Sequence, residues 1–162
     1  MAQVGHVPGA GTAAAAESER ARKEMLRDAR IDARNGARPR IGADALCEAL
    51  LRQGSDVIWG YPGGVILPLY DVLADHPQLR HILVRHEQGA AHAADGYARM
   101  TGKPAAALLH TGPGLANGLA NLHNARRAFS PVVTVVGDHA SYHLDYDAPL
   151  TSDIENLALP MS

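Results

Sequence analysis

From residue 40 onward, apolar positions fall into alternating helical and strand-like segments. Ala43, Leu46, Cys47, Leu50 and Leu51 share one face at helical spacing, and Gly54 is placed to stop that helix. Val57, Ile58 and Trp59 form a short apolar run suited to a buried strand. It runs into Gly60-Tyr61-Pro62-Gly63-Gly64, which must be loop, since Pro62 fixes its φ and the glycines accept values other residues resist. A short amphipathic helix is expected over 66–74, a strand over 81–85, and a helix over 87–101 ended by Gly102, with Ala90, Ala91, Ala94, Tyr97 and Ala98 on its apolar face. A strand over 105–109 then leads to the loop His110-Thr111-Gly112-Pro113-Gly114. Leu115, Leu119 and Leu122 sit at helical spacing in a helix expected over 114–128, and 131–136 is the last clear strand.

Strand, loop, helix and strand in repetition imply right-handed crossovers and a mostly parallel sheet. The expected fold is therefore α/β, three-layered, with helices on both faces of the sheet. Ligands in such sheets bind beyond the carboxyl ends of the strands. Three expected loops leave those ends, at 60–64, 85–88 and 110–114. The segment 138–145 reads as loop.

Residues 1–39 follow a different pattern. The first sixteen are rich in Gly and Ala without periodicity, and 17–34 is densely charged with mixed signs. Pro39 closes the segment, which is expected to be a tail outside the core, disordered or loosely helical; residues 40–162 form the domain.

Composition narrows the function classes. The 162 residues suit one domain, and an apolar content of 46% against 20% charged allows a core to form. Aromatics are only 4%, which favours small, closely packed helices against a β-rich interior. The formal net charge is −2 and the basic residues are scattered, unlike the basic stripe of a nucleic-acid binder. No stretch approaches the roughly 18 consecutive apolar residues of a membrane helix, and the N-terminus lacks the order of a secretory signal. Glu17, Glu19, Glu24 and Asp28 also suit a mitochondrial presequence poorly, so cytoplasm is the expected location. Cys47 is the single cysteine, which excludes an internal disulfide and a cysteine-based metal site. His139 and His143 are four apart, but without a His-Glu-x-x-His pattern no metal site is expected.

Glu87 stands just after a strand, in the first turn of a helix. A carboxylate there either complements the helix dipole or is a water-shielded acid whose proton is used in chemistry; position alone supports both. The loop 60–64 lacks the Lys-Ser/Thr ending of a phosphate-binding loop and the spacing of a dinucleotide fold. The loop 110–114 lets backbone approach a planar ligand, as a generic strand-to-helix turn would. Ser130 and Ser141 lack the Gly-x-Ser-x-Gly setting of a nucleophile, and Arg126 and Arg127 mark the polar end of a helix.

Gly60-Tyr61-Pro62-Gly63-Gly64, followed by the run from Ile82 through Arg85-His86-Glu87-Gln88-Gly89-Ala90-Ala91 to Asp95-Gly96-Tyr97-Ala98-Arg99, closely resembles the N-terminal domain of acetolactate synthase large subunits and their relatives. Thr111-Gly112-Pro113-Gly114 stands where that family has its Ser/Thr-Gly-Pro-Gly loop. The resemblance implies a pyrimidine-binding domain of a thiamine-diphosphate enzyme acting on 2-oxo acids. The family's glutamate at the place of Glu87 hydrogen-bonds N1′ of the aminopyrimidine, which favours the tautomer that takes the proton from C2 of the thiazolium. By the same resemblance Tyr61, Pro62 and Gly63 border the cofactor's reactive face, and Gly112, Pro113 and Gly114 pack near the pyrimidine. Asn117 and Asn121 offer polar contacts without an assigned role.

His110 departs from the synthase pattern and is similar to the histidine of benzoylformate decarboxylases, an acid/base in that family; a decarboxylase of the benzoylformate or sulfopyruvate type is the alternative. In the family a separate domain binds the diphosphate and Mg²⁺ through a Gly-Asp-Gly motif followed by an Asn, and these 162 residues contain no such motif. The expected partner is therefore a second subunit or a C-terminal domain carrying the diphosphate site, in a homo- or hetero-oligomer. The polypeptide alone is not expected to be catalytic, whether it is a fragment or one half of a split enzyme. A non-catalytic interaction or regulatory module that keeps the fold is the reading from another class.

Overall fold

The computed structural model describes residues 39–162. The expected tail over 1–39 lies, but for Pro39, outside the described residues.

Four strands form one parallel sheet in the order β2-β1-β3-β4: β1 (Val57–Gly60), β2 (Arg80–Leu83), β3 (Ala105–His110) and β4 (Val132–Gly137). Val57 pairs with Arg80, Ile58 with Ala106, and Ala105 through His110 with Val132 through Gly137. This register brings the carboxyl ends of β1, β2 and β3, and the end of β4, to one side of the sheet.

Parallel strands need both faces covered, because their connections place helices on the faces. Alternation along the strands divides the core accordingly. Val57, Trp59, Ala105, Ala107 and Leu109 point to a layer made by α3 (Glu87–Thr101) and α4 (Thr111–Arg127). Ile58, Ala106 and Leu108 point the other way, to α1 (Gly42–Arg52) and α2 (Leu67–Leu73). Cys47 and Leu50 of α1 are buried there, with Ala43, Leu46 and Leu51 packed at the margin, as the helical spacing predicts. Ala90, Ala91, Ala94 and Ala98 bury one side of α3. Small side chains let this helix lie close to the sheet, in keeping with the low aromatic content.

The ends of α1 and α3 have local causes. Asp44 accepts the Ile41 backbone N–H at 2.8 Å and so satisfies a donor at the start of α1. Gly102 ends α3 in the left-handed conformation at φ 70°, where a side chain would be strained, and its N–H donates to Ala98 O. Tyr97 stacks on Trp59 with ring centroids 5.2 Å apart and donates to Asp56 at 2.6 Å. That hydrogen bond, with Lys103 beside it, holds the Asp56 carboxyl below its ordinary range.

Some expected boundaries move. The helix expected over 66–74 is a 3₁₀ turn at Gly64–Ile66 followed by α2, with Pro68 in the first turn, where no N–H is needed. The strand expected over 81–85 is Arg80–Leu83. The segment 138–145, expected as loop, contains a short helix, α5 (Ser141–Leu144), and α6 (Ile154–Ala158) follows near the C-terminus. The larger correction concerns 110–114. No loop separates β3 from α4, because the helix begins at Thr111, immediately after the strand. Pro113 falls in the first turn, where its missing N–H has no cost. Among the described residues, no helix is long and apolar enough to cross a membrane.

Candidate functional site

Glu87 opens α3 four residues beyond the end of β2 and is buried, with 9% of its surface exposed. Its carboxylate accepts a hydrogen bond from Asn117 Nδ2 of α4 at 3.0 Å, on Oε2. The other oxygen faces Gly114, where an added Cβ would lie 3.0 Å from Oε1 and 3.3 Å from Cγ. A bare Cα at this point of α4 therefore makes room for the carboxyl group. A negative group in the first turn still complements the helix dipole. A carboxylate that served only the dipole would gain most at the surface, where it stays hydrated. Glu87 is instead enclosed between two helices.

Asn121, one turn beyond Asn117, is also buried. Its amide donates to Gln88 O at 3.2 Å and lies 2.8 Å from His92 Nδ1. Two asparagines of α4 thus hold the first turns of α3. At the other end of the same helix pair, Arg99 pairs bidentately with Asp95 at 2.8 Å, and Ser130 Oγ donates to Asp95 at 2.6 Å. Arg99 above all holds the Asp95 carboxyl below its ordinary range. Small residues at Ala91 and Gly118 fill the space between these polar ties.

Thr111 makes the turn from β3 into α4 with φ 56°, a left-handed conformation that costs a residue with a Cβ about 1–2 kcal/mol. It is fully buried, and its hydroxyl donates to His110 O at 2.7 Å. Residues held in such conformations cluster at functional sites, where surrounding structure over-determines them. The strain here delivers His110 and Gly112–Gly114 to the same end of the sheet as Glu87. Gly112 is buried, and a Cβ on it would overlap Ser152.

His110 is half-buried at the end of β3, and its Nε2 is buried without a hydrogen-bond partner. Its ring lies over Gly63, where an added Cβ would be 2.0 Å from Cδ2. Gly63 thereby ties the loop after β1 to the end of β3. Tyr61 and Pro62, on the same loop, are exposed, Tyr61 by 44%. Pro113 is exposed at the start of α4. The structure therefore brings Glu87 against Gly114, and His110 against Gly63, at one end of the sheet.

Two features escape a reading of the sequence. There Asn117 is a polar contact without an assigned role, and only folding shows that it reaches Glu87, 30 residues away. The end of β4 also belongs to this side: His110 pairs in register with Gly137, and His139, two residues further, has a buried Nδ1 with no hydrogen-bond partner. A parallel sheet is enough to predict it, since every strand then ends on the ligand side.

Glu87 Oε1 is an oxygen no described residue hydrogen-bonds, and the glycines admit the side chains of His110, Ser152 and Glu87 against their backbone. Among the described residues no three His, Cys, Asp or Glu side chains cluster to hold a metal ion. A groove lined by Leu115, Leu122, Val132, Ala158 and Met161, with Arg126 at its side, is built from other residues.

Residues 40–158 match the family model described as thiamine pyrophosphate enzyme, N-terminal TPP binding domain. A Mycobacterium tuberculosis protein named only provisionally as an acetolactate synthase large subunit, IlvX, is 56% identical over 117 residues, 72% of this chain and 23% of its own length. The acetolactate synthase large subunit IlvB1 of Mycobacterium tuberculosis is 43% identical over 121 residues, 75% of this chain and 20% of its own. Among solved structures, the thiamine diphosphate-dependent 4-hydroxybenzoylformate decarboxylase of Rhodococcus jostii superposes with a TM-score of 0.67 at 28% identity, covering 75% of this chain and 23% of that one. The chain thus spans about a fifth of the length of the curated relatives it matches.

Proposed function

We propose, from the premise that this chain belongs to the thiamine pyrophosphate enzyme family as an N-terminal TPP-binding domain, that Glu87 is the acid through which it activates the cofactor in half of an active site. What thiamine diphosphate supplies when bound is a thiazolium carbon that becomes nucleophilic toward the carbonyl of a 2-oxo acid. Glu87 holds and exchanges a proton at N1′ of the aminopyrimidine. Gly112, Pro113 and Gly114 pack near the pyrimidine, and Tyr61, Pro62 and Gly63 border the reacting side. The observation that carries this reading is the enclosure of the Glu87 carboxyl between Asn117 and Gly114, with Oε1 hydrogen-bonded by no described residue. Such a group fits general acid–base catalysis, which requires a carboxyl held in place and screened from water.

The diphosphate and Mg²⁺ fall to a second domain or subunit in this proposal. The reaction favoured by identity is acetolactate formation, as in the named relatives. His110 supports decarboxylation as the second reading: its Nε2 is buried at the end of β3 with no hydrogen-bond partner.

The test combines this chain with the polypeptide that supplies the diphosphate site, thiamine diphosphate and Mg²⁺, and follows 2-oxo-acid consumption and products. Glu87→Gln should lower turnover by roughly 10²–10⁴; unchanged turnover would reject the proposal. Loss of the aldehyde formed by simple decarboxylation, with acetolactate kept, in His110→Ala would assign His110 to the decarboxylase reading.

A further inference from the structure

We infer that Asn117 is a positioning residue that assigns the proton of Glu87 to Oε1. The inference rests on Glu87 being the proton-handling group. It adds what that proposal leaves open, namely why one of two chemically equal oxygens would carry the proton.

A glutamate side chain has three rotatable torsions before its carboxyl group, and burial alone does not choose among them. Two contacts from a single turn of α4 restrict the choice here. Gly114 admits the carboxyl against its bare Cα, 3.0 Å from Oε1 to the position a Cβ would take. Asn117, three residues on and so on the same helix face, donates Nδ2–H to Oε2 at 3.0 Å.

An amide nitrogen donates and does not accept. A proton placed on Oε2 toward Asn117 would therefore meet another proton. A carbonyl oxygen accepts better than a hydroxyl oxygen, so with Oε2 engaged in this way the acid proton is favoured on Oε1, which no described residue hydrogen-bonds. The acid thus presents a single donor with its carbonyl-type oxygen already satisfied. Asn121 reinforces the geometry from the next turn by holding Gln88 O and the His92 ring.

Asn117 is itself exposed, on a helix face where alanine is a better helix former, so Asn117→Ala should fold. The first readout needs no cofactor. In the ¹⁵N-labelled 162-residue chain, the Asn117 side-chain amide pair is identified by its disappearance in Asn117→Ala. One of its protons should move in Glu87→Gln, because the acceptor of its hydrogen bond changes from a carboxyl to an amide oxygen. No movement would overturn the inference.

The second readout is turnover in the assembled enzyme. Asn117→Ala should lower kcat on the order of 10- to 100-fold with KM for the 2-oxo acid unchanged. Asn117→Asp, equal in size but bearing a second carboxylate, should lose at least as much. Wild-type kcat in both variants would overturn the inference even with the amide shift observed. The two proposals fail separately: Glu87→Gln with full turnover rejects the function of Glu87, while the amide shift still reports the contact.

Discussion

The His110 imidazole occupies the space beside Gly63 that the Cβ of any other residue would take, 2.0 Å from His110 Cδ2. Gly63 itself is extended at φ −157°, a conformation open to every residue. The demand for glycine is thus a demand for space, made by a ring at the end of β3.

Gly63→Ala should therefore destabilise the chain by about 1–3 kcal/mol through overpacking. In the His110→Ala background most of that penalty should vanish, because the ring that the added methyl group would strike is gone. Urea denaturation of the two single variants and the double variant measures the coupling. A penalty that persists without His110 would place its origin elsewhere.

At Gly114 stability and activity should move apart. Alanine gains roughly 1 kcal/mol over glycine inside a helix, but its Cβ would stand 3.0 Å from Glu87 Oε1 and displace the carboxyl. The thermal midpoint of Gly114→Ala should hold or rise, while turnover in the assembled enzyme falls about 10²-fold, the scale expected for a misplaced catalytic group. Retained turnover would separate Gly114 from the site.

Stability should decline between pH 7 and pH 5 in part through His81. This residue of β2 stacks edge-on against Tyr70 at 4.8 Å, and its Nε2 is buried without a hydrogen-bond partner. Burial holds its pKa below the ordinary 6.5. The folded state therefore binds fewer protons than the unfolded chain in that window. The contribution is complete above the unfolded value and is lost as pH falls through the folded one. His81→Phe, which cannot titrate, should give a flatter dependence of the urea midpoint on pH; an identical slope would exclude His81.

Leu109 is fully buried on the sheet face covered by α3 and α4. Leu109→Ala should cost about 2–5 kcal/mol, from lost apolar contact and the cavity left behind. A loss under about 1 kcal/mol in urea titration would mean that the helices collapse onto the sheet.

The helix α3 is legible to the residue, Glu87 to Thr101, because its signals are local: small apolar side chains at helical spacing and a glycine at the stop. The segment at 110–114 is not. Two glycines and a proline ordinarily mark loop, yet here they form the first turn of a helix entered through Thr111 at φ 56°. Gly112 and Gly114 are needed by Ser152 and Glu87, which are distant in sequence. A turn whose composition answers to remote partners carries no local sign of them. The short helix at Ser141–Leu144 escapes for a simpler reason, since four residues are too few to show a period.

Periodicity and turn chemistry alone determined a parallel α/β sheet, its ligand-bearing end and the place of Glu87 at a strand-to-helix junction. These depend on contacts between near neighbours, or on the rule that parallel strands end together. Only the tertiary structure decided which groups meet there. Asn117 on the Glu87 carboxyl, Gly114 beneath it and His110 over Gly63 join residues 27 to 47 positions apart in the sequence. Hydrogen bonds and steric fit act over a few ångströms, so no spacing along the chain encodes them until folding brings the partners within reach.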